Sequence, residues 1–298
     1  MKLEKAYSLQ VKDMVTAEKA DQLYQFGKID SKYAFKCPDE NCDAKITCAN
    51  LDKATELRKR DPYFTFVSDH VDGCPIEQDI IKHKRSINHV DDLYSDEDEY
   101  HDNAVRLNLQ PPSNQRPDDL LEGNGKKGNA KLADAGTESK RGKRKIQRSK
   151  NLSSMIDAYL SGENFTVQLP QIGLIDLKDL FIEIDGQDTG DFPDEMRIYY
   201  GKAWINKDDE DRWFTVRFDN KLICKELPES KRPSFLIGRK KIDAYNYGKF
   251  QWTHLEKIAD NKPKQIFLLS DTAPHPSDKG PYINLWLERM EYLDYRSL

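Results

Sequence analysis

Strand-like and helix-like patterns of apolar residues occupy the two ends of this 298-residue chain, and the interval between them is polar throughout. In the first part, residues 44–48 (Ala-Lys-Ile-Thr-Cys) and 62–67 (Pro-Tyr-Phe-Thr-Phe-Val) read as short β-strands. Later, residues 151–160 read as a short helix and 250–258 as a second. Strand signals fall at 180–184, 197–205, 213–218, 264–270 and 282–290, the last two separated by a Pro-rich loop. Residues 197–205 and 213–218 flank the polar tip 206–212, which predicts a hairpin. Five strands with one or two helices fit a barrel, OB-like or otherwise, or a sheet packed by helices.

Within the predicted hairpin, alternation sets Phe214, Val216 and Phe218 on a core face, with Trp213, Thr215 and Arg217 opposite. On the facing strand Ile198, Tyr200, Lys202 and Trp204 share a face against Arg197, Tyr199, Gly201, Ala203 and Ile205. Rings mixed with cations on one sheet face suit single-stranded DNA or RNA, since rings stack on bases and cations meet phosphates. Tyr200, Trp204, Trp213 and Arg217 are the candidate stacking and phosphate contacts. Strands are also rich in aromatics for packing reasons alone.

The polar interval, residues 82–150, has Pro111-Pro112 and Gly123-Asn124-Gly125 and no apolar periodicity. Tyr94 and Tyr100 are its only aromatics, so the expectation is a disordered charged linker. Its charge is polarised. Asp91, Asp92, Asp96, Glu97, Asp98, Glu99 and Asp102 form an acidic block, and Lys140, Arg141, Lys143, Arg144, Lys145, Arg148 and Lys150 a basic one. The basic run reads as a phosphate-binding tether, or as the solvated end of a linker. The domain expectation is therefore 1–81, a metal-binding module; 82–150, linker; and 151–298, a β-rich domain.

Composition narrows the class. Charged residues make up 33 % of the chain and the hydrophobic set 37 %. No run approaches the ~18 apolar residues of a membrane span, and Met1-Lys2-Leu3-Glu4-Lys5-Ala6 lacks a secretory apolar core. The expectation is a cytoplasmic protein with no membrane partner, or a nuclear one in a eukaryotic host. The net charge of −5 argues against affinity built on phosphate neutralisation over the whole surface.

Four of the five cysteines lie within residues 37–74, which favours metal binding over disulfides. Cys37-Pro38-Asp39-Glu40-Asn41-Cys42 and His70-Val71-Asp72-Gly73-Cys74-Pro75 give the spacing C-x4-C-x27-H-x3-C, each pair on a turn-forming loop. Three thiolates and an imidazole match a closed, structural zinc site, so zinc is the expected cofactor, held by Cys37, Cys42, His70 and Cys74. The two strands between the pairs make a zinc-ribbon-like hairpin. Cys48 and Cys224 read as small core residues.

Residues 20–76, with Ala20-Asp21-Gln22-Leu23-Tyr24-Gln25-Phe26-Gly27-Lys28, the Phe-x-Cys knuckle, the aromatic run and the His-x3-Cys close, resemble the N-terminal zinc-binding module of competence-protein CoiA-like families. The resemblance covers about a fifth of the chain and implies bacterial DNA uptake, mobile-element or nuclease-linked roles. The nuclease part of those families is not visible in this sequence.

No Gly-rich phosphate loop, G-x-S-x-G elbow or His-Glu-x-x-His helix is present. Asp185, Asp188, Asp191, Asp194 and Glu195 read as a turn-rich acidic loop. The functional expectation is an α+β, non-catalytic, zinc-containing nucleic-acid-associated factor of bacterial, phage or mobile-element DNA metabolism. A protein-interaction adaptor, and a nuclease with an unrecognised site, are the alternatives.

Overall fold

A computed structural model describes residues 3–55, 58, 60–79, 94, 101, 103–109, 149–170, 172–245, 248–277 and 280–298. These residues form three sheets, with helices few and short.

The first sheet has five antiparallel strands, β1 (Lys5–Ser8), β2 (Asp13–Thr16), β3 (Phe35–Lys36), β4 (Lys45–Ala49) and β5 (Tyr63–Phe66), in the order β2-β1-β3-β4-β5. Helix α1 (Ala17–Gln25) follows β2 directly because the Thr16 hydroxyl caps it, accepting from the Lys19 N–H at 3.2 Å. Ala20 and Leu23 of α1 close a small core around Ile29, Phe35, Ile46, Leu51 and Phe64. Cys48 is buried there, and burial pushes its thiol up to about 12. Arg58 pins α1 from outside, with two 2.8 Å hydrogen bonds to Asp21.

The second sheet, in the order β7-β6-β8-β9, has β6 (Ala104–Asn108), β7 (Ser149–Asn151), β8 (Thr166–Leu169) and β9 (Gly173–Asp176). Strand β6 runs parallel to both β7 and β8. Helix α2 (Leu152–Leu160) covers it, capped by Asn151, whose side chain accepts from the Ser154 N–H at 2.8 Å. Helix α3 (Leu177–Leu180) leads out of β9. Part of the stretch expected as linker over 82–150 belongs to this sheet. Leu107 and Leu109 are buried in its core, and the buried Tyr94 hydroxyl donates to the Gln168 carbonyl at 2.8 Å. Residues 110–148 lie outside the described residues.

The third sheet has eight strands: β10 (Phe181–Glu183), β11 (Arg197–Lys207), β12 (Trp213–Phe218), β13 (Pro233–Gly238), β14 (Lys264–Ser270), β15 (His275–Pro276), β16 (Ile283–Asn284) and β17 (Leu293–Ser297). Its order is β15-β16-β13-β12-β11-β14-β17, with β10 pairing alongside β11. It is an open sheet, so the barrel or OB-like expectation is corrected: no closed barrel forms among the described residues. The strand expected over 282–290 shrinks to Ile283–Asn284, and β13 and β17 lie outside the predicted set.

The third sheet buries both faces over part of its area. On the inner face Tyr199, Ala203, Ile205, Phe214, Val216 and Phe218 pack under helices α4 (Arg239–Tyr245) and α5 (Trp252–Ile258). Gly201 sits on that face because a β-carbon there would lie 3.2 Å from the Phe218 ring. On the outer face, Ile198, Phe267, Leu269 and Phe181 meet α2 and the second sheet. Beyond Lys202 no described element covers that face.

The first sheet docks on the third. Lys32 Nζ lies 2.7 Å from Asp194 and 3.1 Å from Asp52. The Asn50 N–H also donates to the Asp194 carboxylate, at 3.4 Å, and the Tyr63 hydroxyl to the Asp194 carbonyl, at 3.2 Å. Thr65 Oγ1 donates to Asp271 at 3.0 Å, and the rings of Tyr33 and His275 stack at 5.9 Å. Burial alone would lower the Lys32 ammonium. Asp194, with Tyr33 and Asp52, instead holds it well above its ordinary value.

Candidate metal centre

Two turns at one end of the first sheet carry the candidate ligands. After β3 the Cys37 N–H donates to the Ala44 carbonyl at 2.8 Å, closing the base of the first turn. Asp39 shapes its tip: the carboxylate accepts from the Asn41 N–H at 3.0 Å and the carbonyl from the Cys42 N–H at 3.1 Å. After β5 the chain turns again at Gly73, whose φ of +83° favours glycine. The Cys74 N–H donates to the Val71 carbonyl at 3.2 Å, and residues 75–79 continue as a helical turn.

The two turns converge. The Sγ atoms of Cys37, Cys42 and Cys74 and a ring nitrogen of His70 lie within 4.8 Å of one another. Cys37 Sγ is 3.8 Å from Cys74 Sγ and 3.7 Å from His70 Nδ1, and Cys42 Sγ is 3.4 Å from the same nitrogen. All three cysteines are buried and the histidine is half-buried. Ala44, Phe66 and Ile76 pack around the thiols, and the Phe66 ring lies 4.3 Å from the imidazole.

The electrostatics of the cluster favour a cation. Burial pushes the Cys37 thiol up, and the neighbouring Cys42 and Cys74 add to it, outweighing the pull of the Asp39 backbone. Burial acts on Cys42 as well, but backbone contacts from Val71 and Ala44 and the other two thiols overcome it, and its thiol falls below the ordinary value. Deprotonating all three thiols in so dry and close a setting would set them in mutual repulsion, and a metal ion would relieve both the repulsion and the desolvation. The cluster is compatible with a metal ion in a closed four-ligand site. Among the described residues no other group of three or more His, Cys, Asp or Glu side chains is arranged to hold one.

The remaining predicted site residues separate into three groups. Lys140, Arg141, Lys143, Arg144, Lys145 and Arg148 lie outside the described residues, and Lys150 sits on β7, 3.9 Å from Glu163. Tyr200 is half-buried against its neighbours. Its hydroxyl is 3.0 Å from that of Tyr159 and its ring stacks on Phe267 at 5.6 Å, because α2 covers this part of the face. Trp204, Trp213 and Arg217 do share the uncovered part. Trp204 stands opposite Arg217 in the β11–β12 ladder, and the Arg212 guanidinium lies 4.1 Å over the Trp213 ring.

The strand pattern omitted one neighbour, Arg232. Its guanidinium is 3.5 Å from Asp219, and Lys202 reaches the same carboxylate at 3.1 Å. Residue 232 precedes β13, which pairs with β12, so a signal for that strand would have placed it beside the hairpin. The buried contact of Lys32 with Asp194, 162 residues apart, has no local signal at all.

The acidic loop that a nuclease reading would draw on is occupied structurally. Asp185 accepts from Asn220, Asp188 from the Gly190 N–H, Asp194 from Lys32 and Glu195 from Arg197. Comparison of the chain with known protein families, curated proteins and solved structures finds no match. No helix among the described residues is long and apolar enough to cross a membrane.

Proposed function

We propose that Cys37, Cys42, His70 and Cys74 hold one structural Zn²⁺ in a zinc-ribbon-like module, and that the protein is a non-catalytic, nucleic-acid-associated factor. The tetrahedral fit carries the first half. Zinc bonds of about 2.3 Å to sulfur and about 2.0 Å to nitrogen set edges of roughly 3.8 Å between sulfurs and 3.6 Å between sulfur and nitrogen. The 3.8, 3.7 and 3.4 Å separations lie close to those edges. With four protein ligands no coordination position is left for substrate, so the ion organises the turns and does no chemistry. Metal analysis of the purified chain tests this: about one zinc per chain is expected by that ligand count, and Cys37→Ser or Cys74→Ser should abolish it. Stoichiometric zinc in both variants would exclude the assignment.

The uncovered face of the third sheet supports the nucleic-acid reading. Lys202 and Arg232 both pair with Asp219, and Arg217 and Trp204 stand opposite one another on the face that also carries Trp213. The face mixes cations with indoles although the net charge of the chain is −5. It suits a single strand of DNA or RNA, bases on the rings and phosphates on the cations. This reading accords with the resemblance of residues 20–76 to competence-protein modules and with a role in bacterial, phage or mobile-element DNA metabolism. Fluorescence titration with a labelled single strand at two salt concentrations tests it, and binding that weakens with salt is expected. An absence of binding at low salt would leave the adaptor reading, which Leu236 favours by standing half-exposed on the same face.

A further inference from the structure

The second metal turn has an outer side as well as an inner one. His70 and Cys74 point inward to the cluster, while Asp69, Asp72 and Glu77 of the same nine residues reach out to helix α4 on the third sheet. Lys240 Nζ lies 2.7 Å from Asp72 and 3.8 Å from Glu77, and Lys241 Nζ lies 3.0 Å from Asp69. Lys241 is the more enclosed of the two. It also donates to the Leu287 carbonyl at 2.7 Å and lies 4.1 Å over the Trp286 ring, in a segment whose Leu285 and Leu287 belong to the large core. A ligand of the cluster is thus one residue from a carboxylate fixed to the core of the other sheet.

We propose that occupancy of the metal centre is coupled to docking of its loop on helix α4, so that the ion clamps the first sheet to the third. This rests on the metal reading above and adds what the ion controls. Without the ion, turn hydrogen bonds and the packing of Phe66 and Ile76 are the described contacts within the cluster that hold residues 69–77 in the shape that presents all three carboxylates. With it, His70 and Cys74 are tied to Cys37 and Cys42, and the carboxylates stand in register with Lys240 and Lys241. Linkage makes the effect reciprocal: whatever factor the ion contributes to docking, docking contributes to affinity for the ion. Metal scarcity or thiol oxidation would then loosen this edge of the interface, while Lys32 and Asp194 hold the other.

A double-mutant cycle on the exposed pair Asp72–Lys240 tests the coupling, with zinc affinity of the full chain measured by competition against a chelator. Lys240→Glu and Asp72→Lys should each weaken zinc binding about threefold to tenfold, the range for a surface ion pair turned repulsive. The exchange Asp72→Lys with Lys240→Glu should recover affinity to within about twofold, because the pair is restored in reverse. The two single variants change the charge near the cluster in opposite directions, so a field effect alone would tighten zinc binding in one and weaken it in the other, whereas loss of the clamp weakens it in both. Chelation should also change tryptophan emission in the full chain but not in Trp286→Phe. Zinc affinity unchanged or tightened in either single variant would overturn the clamp and leave the metal reading standing. A wild-type chain that binds no zinc would instead overturn the metal reading.

Discussion

In the five-stranded sheet the enclosed side chains are few and the core is closed by special pairs: Arg58 on Asp21, Lys32 on Asp194, and the Cys3His cluster at one end. In the eight-stranded sheet two helices and the second sheet bury aromatic and aliphatic side chains on both faces, from Tyr199 and Phe214 to Phe267 and Leu269. The smaller unit gains order from a few strong, specific contacts, and the larger from many weak, unspecific ones. Small units bury too little apolar surface to offset chain entropy and depend on such staples. The two therefore differ in how they fail: one by loss of a single ligand, the other only by loss of volume.

Removing the metal attacks that contrast most directly. Chelation or Cys74→Ser should unfold the first sheet at a lower temperature while the third sheet keeps its transition, since structural zinc contributes on the order of 10 kcal/mol to small domains. Differential scanning calorimetry with and without chelator reads this as one transition splitting into two, and a single shifted transition would mean that the sheets fold as one unit. Next in size, Phe214→Ala should cost about 4 kcal/mol by emptying a fully buried ring site, and urea unfolding should place that loss in the upper transition, with bound zinc unchanged. Lys32→Met leaves Asp194 buried without its cation and should cost about 3 kcal/mol. Because the pair spans both sheets, urea titration should show both transitions moving, and a shift confined to one would break the comparison.

Acid tests the smallest staple. The Arg58 hydrogen bonds, working against burial, hold the Asp21 carboxyl below its ordinary value. A carboxyl depressed by folding contributes stability above its unfolded value of about 4, and that contribution fades as pH falls through the folded value. Asp21→Asn should therefore cost about 2 kcal/mol at neutral pH, and the gap to wild type should narrow toward pH 3. A gap independent of pH would show that shape, and not charge, is what the pair provides.

How much of this could be read from the chain follows the same division. Ligand spacing identified Cys37, Cys42, His70 and Cys74, because turns of four and three residues force paired donors together whatever surrounds them. Strand signals located β4, β5, β10, β11, β12 and β14, each packed against a core on at least one face. Alternation also assigned Tyr200 to the correct face, but not the helix that covers that face, since α2 arrives from a different sheet. Strand β6 was hidden for a related reason: Ala104-Val105-Arg106-Leu107-Asn108 is short, carries a buried arginine, and pairs in parallel with strands from 149–169. Parallel partners need not adjoin in sequence, and the charged surroundings masked the pattern.

Strand β6 also changes what the stretch between residues 110 and 148 connects. Strand β6 ends at Asn108 and β7 begins at Ser149, and the two are immediate neighbours in the second sheet. A fragment ending near residue 109 would donate β6 as the strand between β7 and β8 of a fragment beginning near 149. The protein is in this sense a natural split pair: fragments ending near 109 and beginning near 149 carry complementary halves of one sheet, and co-expression should reassemble them.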